Sequence, residues 1–149
     1  MKTSFRVSST VGSILLALAV LFSLAGAAQA RGQVVVIANN SVAASEISRA
    51  ELRDLFTGAT SSIKGSGEVS PVLQKDGPAH QEFLGQYVGK SDSAFRAGWR
   101  SLLFSGQGAM PKTFETDADV VEYVSRTRGA IGYISHSSPH AGVKTLAVK

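Results

Sequence analysis

Strand-like and helix-like segments alternate along this chain, and that alternation predicts an α/β fold, a small mixed sheet flanked by helices. Three observations carry the prediction. A β-branched run at Gln33 to Ala38, QVVVIA, has the continuous apolar character of a strand covered on both faces. Helix-start chemistry recurs at Ser48, Pro78, Ser91 and Thr116, each time ahead of apolar residues at helical spacing. A second buried-strand pattern, AIGYI, spans Ala130 to Ile134.

The elements follow in order. The first strand ends at the turn-prone Asn39, Asn40 and Ser41. In SRAELRDLFTG, Ser48 and Glu51 have the spacing of a capping box, Leu52, Leu55 and Phe56 form one apolar stripe, and Gly58 is placed to end the helix. A polar stretch, ATSSIKGSGE, reads as a flexible connection to a short strand at Val69 to Leu73. Pro78 then suits the first turn of a second helix, with Phe83, Leu84, Tyr87 and Val88 on its apolar face and Gly89 at its close. A third helix starts at Ser91 and carries Phe95, Trp99, Leu102 and Leu103, until FSGQGAMPK breaks the pattern. Thr116 and Asp119 open a fourth helix through Val120, Val121 and Val124, which Gly129 ends. GVKTLAV near the C-terminus alternates and is expected to be an edge strand.

The first thirty residues stand apart from this pattern. Lys2 and Arg6 precede an apolar run from Ile14 to Leu24, and Ala28-Gln29-Ala30 supplies a small-residue cleavage site, so residues 1–30 read as a secretory signal cut before Arg31. Residues 31–149 then form one domain, expected in the bacterial periplasm and not inserted in the membrane. Removing Lys2 and Arg6 lowers the formal charge from +4 to +2, too mild a balance for a nucleic-acid surface. The absence of cysteine excludes disulfides, thiolate metal sites and thiol catalysis.

The stretch with most chemistry is QKDGPAHQEF, Gln74 to Phe83. One reading makes it an oxyanion site. The backbone N–H groups of Ala79, His80 and Gln81 would point out of a helix end carrying partial positive charge, Lys75 would add attraction, and Asp76 would take the proton of a monohydrogen phosphate. His80 would also donate to such an anion, better when protonated near its ordinary pKa of about 6.5. In the other reading Asp76 caps the helix, Pro78 stiffens its first turn and Lys75 is solvated. The residues leave both open.

Other candidates are weaker. FSGQGAMPK has glycines and a lysine but lacks the ending of a nucleotide P-loop, so Ser105, Gly106 and Gly108 read as a helix exit. His136 and His140 are too few, and interrupted by Pro139, to make a metal site. No Gly-x-Ser-x-Gly elbow occurs, and Asp117 and Asp119 are explained by the dipole of the helix they open. No enzyme signature, metal or cofactor is expected. Trp99, Phe95, Tyr123 and Tyr133 read as core aromatics.

Four stretches together carry a family likeness: AELRDLFTG, VSPVLQKDG, EFLGQYVGKSDSAFRAGWRSLLFSGQG and VVEYVSRTRGAIGYIS. In that order they resemble the phosphate-binding proteins of bacterial ABC phosphate transporters and the shorter domains grouped with them. The likeness covers roughly Val34 to Ser135. It implies a single lobe similar to a type 2 periplasmic binding protein, a non-enzymatic role, and phosphate or a related oxyanion held by Lys75, Asp76, Gly77, Ala79 and His80. An ABC permease would be the downstream partner. Asp76-Gly77 match the family's Asp-Gly, whereas Gln74 stands where it has an arginine and Pro78-Ala79-His80 replace Ser-Gly-Thr. Lysine does not reproduce a guanidinium fork, so Lys75 is an incomplete substitute. The alternative is an exported interaction module that keeps the fold without the ligand, recognising a protein partner or forming a homodimer.

Overall fold

The structure is a computed structural model that describes residues 33–149; the expected signal and its cleavage site lie outside the described residues. Eight strands and four helices follow the predicted alternation: β1 Val34–Ala38, β2 Glu46–Ile47, α1 Arg49–Phe56, β3 Ser62–Ile63, β4 Gly67–Glu68, β5 Ser70–Gln74, α2 Pro78–Phe83, α3 Asp92–Phe104, β6 Lys112–Phe114, α4 Asp117–Arg126, β7 Ala130–Ser135 and β8 Lys144–Val148. A π-helical stretch, Leu84–Val88, continues α2 and closes on Gly89.

Six strands form one mixed sheet in the order β2-β8-β1-β7-β5-β6, with β3 and β4 as a separate antiparallel pair. β5 runs parallel to both β6 and β7, while β1 lies antiparallel to β7 and β8. The sheet is covered on both faces, as the β1 run requires. Val34, Val36 and Ala38 face a core that includes Leu52, Leu55 and Phe56 of α1, Phe83 of α2, and Phe95 and Trp99 of α3. Ile37 faces the other way, toward Val120 and Val124 of α4. α4 approaches closely because β7 carries Gly132: a Cβ there would lie 2.9 Å from Val120 Cγ1.

Two expectations need correction. β8 is not an edge strand, because it pairs with β1 on one side and with the two-residue β2 on the other. Its alternation, with Leu146 buried and Thr145 and Ala147 exposed, reports one covered face and says nothing about an unpaired edge. The polar stretch after α1 is not merely a flexible connection either. It folds into the β3/β4 pair, and its lone aliphatic residue, Ile63, is buried in the core.

Asn39 joins two elements rather than simply making a turn. Its side-chain Nδ2 donates to the carbonyls of Val124 (2.8 Å) and Ser125 (3.1 Å) near the end of α4, while its Oδ1 accepts from Ser41 N. Carbonyls of the last helical turn have no partner inside the helix or only a strained one, and this side chain supplies it.

Candidate functional site

The parallel strands β5, β6 and β7 end together at Gln74, Phe114 and Ser135, and the segment Lys75 to His80 leaves the sheet at that carboxyl edge. In open α/β sheets this edge is where ligands gather. Gly77 is the residue before α2, with φ 97° and ψ 175°, a backbone region open essentially to glycine alone. No side chain caps the helix, so Asp76 is not folded over its amides.

The mouth offers fewer donors than the sequence suggests. Pro78 has no N–H, and Gln81 N donates to Gly77 O at 3.1 Å, which makes it the first internal bond of the helix. Ala79 and His80 supply the two backbone amides that precede that bond. The Ala79 side chain is buried, whereas Lys75 and Asp76 are exposed.

The charged groups around the mouth are engaged with one another. Lys75 Nζ pairs with Glu115 Oε1 at 3.0 Å across the ends of β5 and β6. That contact raises the lysine's pKa above its ordinary value. Arg96, on α3, was not among the residues singled out from the sequence. Its Nη2 donates to the Lys75 carbonyl and its Nε to Asp92 Oδ2 at 2.9 Å. A guanidinium therefore sits beside the segment where the family pattern places an arginine at position 74. The signal that could have found it is the Asp92/Arg96 pair, one helical turn apart.

His80 is turned inward, with only 1% of its surface exposed. Its Nδ1 lies 2.5 Å from Tyr133 Oη and its Nε2 lies 2.7 Å from Asp92 Oδ1. Tyr133 Oη already accepts from Gln74 N at 3.0 Å, so its own proton goes to Nδ1. Nε2 then carries the imidazole proton and donates to Asp92. Both ring nitrogens are thereby committed, and the expected donation from the imidazole to an anion is replaced by the His80 backbone N–H. Burial pushes the Tyr133 phenol well above its ordinary pKa, against the opposing pull of the Gln74 amide. Arg96 first, and His80 after it, hold the Asp92 carboxyl below its ordinary value despite partial desolvation.

Gln74 and Asp117 form a neighbouring knot. Gln74 is buried, and its Nε2 donates to Asp117 Oδ1 at 2.5 Å and to the Tyr133 carbonyl at 3.1 Å. Asp117 Oδ2 accepts from Ser135 N (3.1 Å) and Ser138 Oγ (2.5 Å). Asp117 thus ties α4 to the ends of β5 and β7, a role the dipole explanation did not include. An arginine at 74 would reach the same carboxylate; a glutamine satisfies it without burying a charge. Among the described residues, no cluster of three or more His, Asp or Glu is arranged to hold a metal ion.

Comparison with solved structures gives the fold a precedent. The chain aligns with a substrate-binding protein of a phosphate ABC transporter from Clostridium perfringens, solved with bound phosphate, at TM-score 0.60 and 18% identity. The alignment covers 77% of this chain and 44% of that one. The chain has the fold of part of a phosphate-transporter substrate-binding protein. An ABC-type phosphate transport receptor from Vibrio cholerae aligns at TM-score 0.59 and 14% identity, covering 77% of this chain and 45% of its own. PstS from Borrelia burgdorferi aligns at TM-score 0.59 and 15% identity, over 78% and 47%. This chain therefore spans less than half the length of the proteins it resembles. No protein-family model matches it, and no curated protein matches its sequence. Those neighbours are substrate-binding proteins and not enzymes. No helix among the described residues is long and apolar enough to cross a membrane.

Proposed function

We propose that this chain is an exported, non-enzymatic binding protein of the periplasm that holds a small oxyanion, phosphate foremost, at the carboxyl edge of β5, β6 and β7. The observation that carries the reading is the open start of α2: two backbone amides, at Ala79 and His80, follow a glycine with no side-chain cap, next to the Arg96 guanidinium. Backbone amides at a helix start attract anions through their geometry and partial charge. Asp76, exposed and outside the cap, is available to accept the proton of a monohydrogen phosphate. The fold shared with phosphate-transporter proteins supports the same edge and the same ligand class, and an ABC permease is the partner that such a role would serve.

The test is calorimetric titration of the purified protein with phosphate, sulfate and molybdate, alongside thermal melting. Binding to the folded state raises the melting temperature by mass action. Lys75→Ala combined with Asp76→Ala, and separately Arg96→Gln, are expected to weaken the response. Absence of both heat and melting shift at millimolar phosphate overturns the reading and leaves an exported interaction module of the same fold.

A further inference from the structure

The opposite end of the sheet has a different character. Three large hydrophobic side chains among the described residues stay exposed, Leu103 at 46%, Phe104 at 85% and Met110 at 43%. All three lie in the last turn of α3 and the loop that leaves it. Beside them opens a groove of about 720 Å³, with Leu55, Val72, Trp99, Leu102 and Tyr123 in its lining and Met110 at its rim. Glu68 and Lys112 also line this groove, and among the described residues neither is in an ion pair. Water-exposed phenylalanine next to an open apolar hollow is costly surface, and such patches mark contacts.

We propose that this face is a two-fold contact between two copies of this chain. The argument for a second copy, over a different partner, is that one face carries both halves of the match. It presents a knob, Phe104, and a hollow floored by Trp99 and Leu102. It presents an acid, Glu68, and a base, Lys112. Two-fold association places the same patch on both subunits, so each element must find its complement elsewhere in that patch. Phe104 of one copy enters the hollow of the other, and Glu68 of each meets Lys112 of its partner copy. This contact is remote from the carboxyl edge and stands whether or not an anion binds there.

Light scattering during size-exclusion chromatography, over a dilution series, reads the outcome directly. The expected result is twice the chain mass at high concentration, falling to the single mass on dilution. Phe104→Glu, at a site exposed enough to leave the fold and its melting curve intact, is expected to give the single mass throughout. Glu68→Lys and Lys112→Glu each weaken association, and the two together restore it. A single mass at every concentration overturns the proposal, as does a dimer untouched by Phe104→Glu or charge reversals that fail to rescue each other. A single mass combined with a melting point raised by an apolar peptide gives the groove to another occupant, and overturns it too.

Discussion

α1 and α2 both start at the end of a strand or loop on the same face of the sheet, yet they finish their N-termini in opposite ways. At α1, Ser48 Oγ accepts from Glu51 N at 3.2 Å, while Glu51 Oε2 accepts from Ser48 N at 3.1 Å and from Ser48 Oγ at 2.8 Å. Two amides that a helix leaves unbonded are thereby used up by side chains. At α2 a glycine stands in the capping position and contributes no such bond. α2 is held from the core side instead, by His80 between Tyr133 and Asp92, and by Phe83 stacked on the Tyr133 ring with centroids 3.9 Å apart. The difference teaches that a helix can be anchored through its buried face while its end is left for a solute.

The contrast can be broken most forcefully at the anchor. Phe83→Ala empties a fully buried site and is expected to cost about 3–5 kcal/mol in urea unfolding. If it costs no more than loss of the α1 cap, the core does not hold α2 and the comparison fails. Next in size is Gly77→Ala, where φ 97° forces an alanine into strain of about 1–3 kcal/mol. The variant should also weaken any phosphate-dependent melting shift, because relief of that strain rotates the Ala79 and His80 amides. Ser48→Ala removes the α1 cap for about 1 kcal/mol and should leave the phosphate response as it was, which sharpens the distinction between the two helix starts.

The smallest expected effect is on acid stability. Hydrogen bonds from Ser48, first from its side chain and then from its backbone, hold the Glu51 carboxyl below its ordinary pKa. A group depressed in the folded state stabilises above its unfolded value, and that contribution is lost as the pH falls through the folded value. Glu51→Gln should therefore flatten the fall in melting temperature on the acid side of about pH 4.3, the ordinary value for glutamate. An unchanged acid slope in that variant would remove Glu51 from the cap energetics.

What the sequence made legible follows sequence distance. The α1 cap joins residues three apart, and a spacing rule suffices to find it. The start of α2 at Pro78 was equally readable, since proline at a first turn is a local property. The fates of Gln74 and His80 were not. Gln74 bonds a carboxylate 43 residues away, and His80 a phenol 53 residues away. Neither partner leaves a mark near the residue it satisfies. Arg96 was hidden for a related reason: on a helix a charged side chain reads as solvated until the backbone carbonyl it serves, here that of Lys75, is brought alongside. The β3/β4 pair was missed because two-residue strands are too short to show a period, although Ile63, isolated among polar neighbours, hinted at burial.

Gly132 has a wider reach than its size suggests. Because α4 rests on β7 where a methyl is missing, the helix rides low, and its leading carboxylate, Asp117, comes level with the tips of two strands. An added carbon would act as a wedge, levering that end of the rod upward and pulling apart polar groups that now meet at the sheet's rim. The height of one layer is thus set by an atom that is not there.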